Sequence, residues 1–173
     1  MASWYMLTLI GKDRAGIVAA VTRALFEGGC NLGEASMIRL GGSFTIMLMI
    51  QHDGEVDELE RLMQPAAQSM ALRFRLDPIE GHRHDQLTPD VQITVFGADR
   101  AGIVAQVTGV LAGAGLNVLD LRSDVAGGEQ GPLYILHIEG QALQGVEALR
   151  AALAASDLTD LEVTIEPVDT FIG

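Results

Sequence analysis

The sequence predicts an α+β chain made of two copies of one small domain, each an antiparallel four-stranded sheet with two helices on one face. Three observations predict it. Residues 11–32 and 97–118 align at an offset of 86, with 13 of 22 positions identical. Around each aligned segment, stretches of period-two alternation exchange with stretches of helical spacing, in the same order. The 173 residues are 49% apolar, enough for two cores of about 80 residues each. A long period with only two copies excludes a solenoid and points to tandem domains.

The elements follow in order. Residues 4–10 (WYMLTLI) are apolar and rich in strand formers, and predict the first strand. Residues 11–15 are a polar turn. Over 16–28, Ile17, Val21, Ala24 and Leu25 recur at the spacing of one helix face, and Gly28-Gly29 supplies the stop. Residues 31–40 and 43–51 are strands around Gly41-Gly42, a hairpin signal. In the second of them Phe44, Ile46, Leu48 and Ile50 share one face; Thr45, Met47 and Met49 share the other. Residues 56–70 predict a helix with Val56, Leu59, Met63, Ala66 and Met70 on one side, kinked or shortened by Pro65. Residues 71–77 close the unit as a strand alternating Leu72, Phe74 and Leu76 with Arg73 and Arg75. The order β-α-β-β-α-β is the ferredoxin-like split βαβ.

The second copy repeats it: a strand over 91–96, a helix over 102–114, strands over 117–125 and 133–139 around a longer loop at 126–132, a helix over 146–156 and a strand over 161–166. The polar segment 79–90 (IEGHRHDQLTPD) reads as a linker, which gives domains 1–78 and 91–173.

Charge narrows the functional classes. The net charge is −12; residues 1–80 carry 7 basic and 10 acidic side chains, and residues 81–173 carry 4 and 13. Such a surface repels phosphate backbones, so direct nucleic-acid binding is not expected. No apolar run approaches the ~20 residues of a membrane helix, and the N-terminal segment lacks the basic start of a signal peptide. The single cysteine, Cys30, excludes an internal disulfide and fits a reducing, cytoplasmic setting. Its counterpart is Leu116, so it reads as a core thiol. His82, His84 and Asp85 fall in the linker and read as solvated; no metal or cofactor is expected. His137 aligns with Met49 at an offset of 88 and reads as a strand-face residue. Met47, Met49, Met63 and Met70 read as adaptable core. Arg39, Arg73 and Arg75 are the one modest basic cluster. There is no G-x-S-x-G and no phosphate-loop motif, so no enzyme is expected.

The best-matched segment is the turn from the first strand into the first helix: Asp13-Arg14-Ala15-Gly16-Ile17 and Asp99-Arg100-Ala101-Gly102-Ile103. Asp reads as the helix N-cap, and glycine allows a tight turn and close approach of a ligand. A helix N-terminus offers unpaired N–H groups to a carboxylate or phosphate. The second matched point is Asn31 and Asn117, each after a Gly-x step, with an amide donor and acceptor to offer. A helix start needs a cap and a glycine even without a ligand, so folding alone also accounts for the pattern.

The D-R-x-G-I-V-A-x-V-T segments, the Gly-x-Asn steps and the element order together resemble the ACT domain, over both repeats. Tandem copies on a chain of this length are most similar to the glycine cleavage system transcriptional repressor group. The resemblance implies a non-catalytic regulator that binds a small amino acid, glycine or serine, where domains pack together, as a homodimer. It implies a protein partner, such as a DNA-binding regulator. The implied ligand residues are Asp13, Arg14, Ala15, Gly16, Ile17 and Asn31, with Asp99, Arg100, Ala101, Gly102, Ile103 and Asn117. Ala15 and Ala101 stand where many members have proline, which leaves an extra N–H in each loop. The other reading is a constitutive ACT-type oligomerisation or interaction module without a ligand.

Overall fold

A computed structural model describes residues 2–80, 87–128 and 131–168 of the chain. The chain divides into two units, Met1–His84 and Asp85–Gly173, here domain 1 and domain 2. Domain 1 runs β1 (Ser3–Lys12), α1 (Ile17–Glu27), β2 (Asn31–Leu40), β3 (Ser43–His52), α2 (Val56–Ser69) and β4 (Arg73–Ile79). Domain 2 runs β5 (Val91–Ala98), α3 (Ile103–Gly113), β6 (Leu116–Gly128), β7 (Gly131–Ala142), α4 (Val146–Ala154) and β8 (Glu162–Pro167). The sheets are β2-β3-β1-β4 and β6-β7-β5-β8, antiparallel at every pairing. The two expected four-stranded sheets with two helices each are thus both present.

Alternation decides the core. On β1, Tyr5, Leu7 and Leu9 are buried, and on β3 Phe44, Ile46, Leu48 and Ile50 join them against Ile17, Val21 and Leu25 of α1 and Leu59 and Met63 of α2. Domain 2 repeats this with Val91, Ile93 and Val95 against Ile103, Val107 and Leu111. The other sheet face carries no helix. β2 is an edge strand exposed along its whole length, so even its helix-side residues lie beyond the cover of α1.

Helix ends follow glycine chemistry. Gly29 after α1 has φ +73°; its N–H donates to the Phe26 carbonyl (3.0 Å), and the Cys30 N–H reaches back to Leu25 (3.0 Å). These two bonds are a Schellman stop, which wants a left-handed residue. The same pair closes α2 at Ala71 and Leu72, but there the left-handed residue is Ala71 at φ +52°.

Several expectations are corrected. Residues 71–72 are this turn, and β4 begins at Arg73. α2 runs on for four residues beyond Pro65 and is not shortened by it. The expected loop at 126–132 is largely hairpin, since β6 continues to Gly128 and β7 starts at Gly131. The register therefore sets Met47, opposite Thr8, against His137, opposite Thr94, an offset of 90 rather than 88. Of the methionines, Met63 and Met49 are buried, whereas Met47 is exposed. Of the linker, Asp90 is stitched into domain 2: its N–H donates to the Gly140 carbonyl (2.9 Å), and its carboxylate accepts from the Ala142 N–H (2.8 Å). His82, His84 and Asp85 lie outside the described residues. No helix among the described residues is long and apolar enough to cross a membrane.

Candidate functional site

The repeated turn has one geometry in both domains. As β1 ends, the Asp13 N–H donates to the Gly42 carbonyl (2.9 Å); as β5 ends, the Asp99 N–H donates to Pro132 (3.2 Å). Each bond ties the turn to the neighbouring hairpin tip. The chain then passes through Gly16 at φ 91°, ψ −5° or Gly102 at φ 92°, ψ −5°, left-handed values that any side chain would strain. These glycines, not the aspartates, are the helix N-caps. No side chain caps either helix, and the first helical bonds run from the Ala20 and Gln106 N–H groups to the cap carbonyls at 2.9 Å. Expecting Asp as the cap failed because the turn places it three residues ahead of the capping position.

In domain 1 that turn borders an open cavity of about 620 Å³. Its walls are residues 13–19, Met37 and Arg39 of β2, and Phe44 of β3. The cavity exists because β2 extends past α1: Arg39 and Met37 sit opposite Phe44 and Ile46 on the helix-side face, with no helix above them. Arg39 forms an ion pair with Asp13 across this opening. Arg14 turns away, donating to the Ser69 carbonyl at the end of α2 (2.8 Å).

In domain 2 the register sets Val125 and Ser123 where domain 1 has Arg39 and Met37, and Tyr134 in place of Phe44. Arg100 again turns away, forking onto Asp160 (2.8 and 3.2 Å) and reaching Gln106 (2.9 Å). The hydrogen bond from Arg100 holds the Asp160 carboxyl below its ordinary range. Beside it lies a shallow hollow of about 430 Å³ that includes Arg100, Gln106 and Ser156.

The structure brings Asp13, Arg14, Ala15, Gly16 and Ile17 to one cavity but does not bring Asn31 there. Asn31 pairs with Gln51, and Gln51 with Trp4, at the opposite end of the sheet from Lys12 and the turn. Eight residues of β1 separate the two ends, on the order of 25 Å at ~3.3 Å per residue. Asn117, opposite Gln141, is likewise remote from residues 99–103. Nor do Arg39, Arg73 and Arg75 form a cluster, since β2 and β4 are opposite edges of the sheet. Sequence reading missed Met37, Phe44 and the pairing of Arg39 with Asp13; all three depend on strand register.

A second polar group belongs to domain 1 alone. The Cys30 sulfur is 3.7 Å from Nδ1 of His52, whose Nε2 is 3.6 Å from the Glu58 carboxylate. Burial pushes the Cys30 thiol up, which keeps it protonated and unreactive. The matching positions in domain 2 are Leu116, Ala142 and Ala148. Among the described residues no group of His, Cys, Asp or Glu could hold a metal ion.

Residues 5–77 match the ACT domain family, and residues 91–156 match it a second time. The chain is 24% identical over 137 residues to the glycine cleavage system transcriptional repressor of Escherichia coli (strain K12), covering 79% of this chain and 72% of that protein. Two solved structures share the whole fold. One is an unknown protein from Galdieria sulphuraria, with a TM-score of 0.75 and 22% identity, covering 97% of this chain and 99% of that one. The other carries the name of the same glycine cleavage repressor, with a TM-score of 0.73 and 18% identity, covering 97% and 98%.

Proposed function

The chain belongs to the ACT domain family, with two such domains in tandem, and on that premise we propose that it senses a small amino acid and acts on a protein partner. It is a regulatory protein related to the glycine cleavage system transcriptional repressor. In this reading it has no catalytic step and works in the cytoplasm as a homodimer.

The observation that carries the reading is the uncapped helix start beside the domain 1 cavity. The N–H groups of Ile17, Val18 and Ala19 have no side-chain partner, and a helix N-terminus favours negative charge. A ligand carboxylate would dock there, close to Gly16, where no Cβ intervenes. Its ammonium would compete with Arg39 for the Asp13 carboxylate. Asp99, Arg100, Ala101, Gly102 and Ile103 would form the analogous site in domain 2. There Asp99 would meet the ammonium without an arginine competitor, since Val125 replaces Arg39. Asn31 and Asn117 would reach such a ligand only from another copy of the fold. Binding acts as a signal only if it favours one packing of the protein over another. With a net charge of −12, any transcriptional effect would pass through a DNA-binding partner.

Thermal-shift and calorimetric titration against the amino acids tests this. Saturation at about 100 times Kd adds ~2.7 kcal/mol of stability. Glycine or serine is expected to raise the midpoint, Asp13→Asn to weaken the effect, and Arg39→Ala to strengthen it. If no amino acid shifts the midpoint at millimolar concentration, the sensing role is lost. In a gel shift the pure protein should leave DNA unretarded.

One observation favours the second reading, a ligand-free interaction module. β2 is a long exposed edge bearing Ile38 and Leu40, both more than half exposed. Such an edge is a template for pairing with another strand. A constitutive dimer insensitive to every amino acid would support it.

A further inference from the structure

The helix-free sheet faces of the two domains are opposite in charge, and we propose that the free face of domain 1 docks on the free face of domain 2 in a second copy of the chain. This names a surface for the self-association proposed above and is independent of ligand sensing.

The register defines both faces. In domain 1, Met6 lies opposite Met49, Thr8 opposite Met47, and Ile10 opposite Thr45. β2 adds Ser36 and Ile38 at one margin, and β4 adds Arg75 and Arg73 at the other. The middle of the face is therefore largely apolar, with Met47 and Ile38 exposed. Its charge is basic. The acids there are Glu34, across from Met49, and Asp77, which is taken by Arg75 (2.8 Å). Lys12, opposite Ser43, stands with Arg73 and Arg75 on the basic side, and among the described residues Arg73 has no carboxylate partner.

In domain 2 the equivalent rows carry carboxylates. Gln92 is flanked by Glu139 and Glu166, and Phe96 by Ile135 and Glu162. β6 adds Asp120, Arg122 and Asp124, and Arg122 is held by Asp120 (3.0 Å). Both margins of this face are acidic, with an apolar patch at Phe96 and Ile135 between them. Two stacked sheets can be related by an axis along or across the strands. Either relation sets Arg73 and Arg75 over a carboxylate margin, β6 in one and β8 in the other.

Area supports a second copy as the occupant. Four strands spaced ~4.8 Å apart, each contributing about six residues, give a face of roughly 400 Å². A two-fold dimer makes the contact twice, burying about 1,600 Å² in all, the size of a standard stable interface. The symmetry also closes the assembly, so neither face remains open.

Sedimentation velocity on the full chain tests this, at about 50 mM and about 500 mM salt. The wild type is expected to be dimeric at low salt and to loosen at high salt. Arg73→Glu with Arg75→Glu should weaken the dimer about tenfold or more, with an unchanged circular dichroism spectrum. Met47→Glu should do the same from the apolar centre. Adding either Glu162→Arg with Glu166→Arg, or Asp120→Arg with Asp124→Arg, to the arginine variant should restore association. A wild type that stays monomeric overturns both the dimer and its surface. A dimer that ignores all three disruptions, or is restored by neither acidic margin, overturns the surface alone and leaves the β2 edge as the contact.

Discussion

In domain 1 the Asp13 carboxylate meets Arg39; in domain 2 Asp99 occupies the same turn and the facing position is Val125. Domain 1 also holds Cys30, His52 and Glu58 in one polar line, where domain 2 has Leu116, Ala142 and Ala148. Yet the turns themselves agree within a degree at Gly16 and Gly102. The turn geometry is thus common to both domains, and the side chains around it are what a ligand could tell apart. The cores differ as well. Among the described residues, domain 1 buries 16 hydrophobic residues in its cluster and domain 2 buries 12. α4 contributes a single buried residue, Leu149, where α2 contributes three. Domain 2 is therefore expected to be the weaker unit.

Four measurements test that contrast, from the largest expected effect to the smallest. Leu149→Ala should cost domain 2 about 3 kcal/mol, because it empties the one anchor of α4. The single tryptophan, Trp4, and the single cysteine, Cys30, both belong to domain 1. Circular dichroism should therefore show an early transition that Trp4 fluorescence and Cys30 alkylation do not follow. Coincident transitions would mean that the two domains unfold as one.

Gly16→Ala and Gly102→Ala should each cost about 1–2 kcal/mol from the left-handed backbone alone. A new Cβ meets nothing closer than 3.6 Å at Gly16, and nothing within 4 Å at Gly102. Equal losses in urea melts would confirm that the turn is purely a matter of fold. A loss confined to one domain would break the symmetry between the turns.

Ala71→Gly should stabilise domain 1 by about 0.5–1 kcal/mol, since Ala71 is the one non-glycine residue with positive φ among those described. Only the transition reported by Trp4 should rise. The smallest effect is alkaline. Burial raises the Cys30 thiol above its ordinary value of 9.0. The unfolded thiol ionises first, so this contribution is complete below pH 9 and fades as pH climbs through the higher folded value. Domain 2, with Leu116, should show no such loss in pH-dependent melts, and Cys30→Ala should remove it from domain 1.

Much of the fold was legible in the chain. Phe44, Ile46, Leu48 and Ile50 announce a half-buried strand, and Gly28-Gly29 announces a helix end, because period and left-handed backbone are local properties. The cavity was not, because Arg39 reaches Asp13 only through the side-by-side order of β2, β3 and β1. The same non-local order parts Asn31 from the turn and Arg39 from Arg73. His137 was matched to the wrong partner because the β6–β7 hairpin is four residues longer than β2–β3, and alternation cannot count residues in a hairpin tip. Asp13 looked like a cap because Asp usually is one, while the helix starts at a glycine whose φ the composition does not reveal.

The irregularity in β2 between Leu32 and Ala35 decides more than a local bend. There Gly33 and Glu34 together lie across from Met49, with Trp4 packed so close that a Cβ on Gly33 would be 3.0 Å from its ring. One surplus residue shifts the phase of everything downstream. Were all residues of β2 kept and paired in the register of Asn31 and Leu32 throughout, Ile38 would stand across from Phe44 and point into the cavity, and Arg39 would swing to the helix-free side. A single-codon deletion at this point would straighten the strand and leave Arg39 across from Phe44, because the Gly41-Gly42 hairpin fixes that pairing. The surplus residue thus lets one strand serve two ends of the sheet, with Leu32 across from Ile50 at one and Arg39 across from Phe44 at the other.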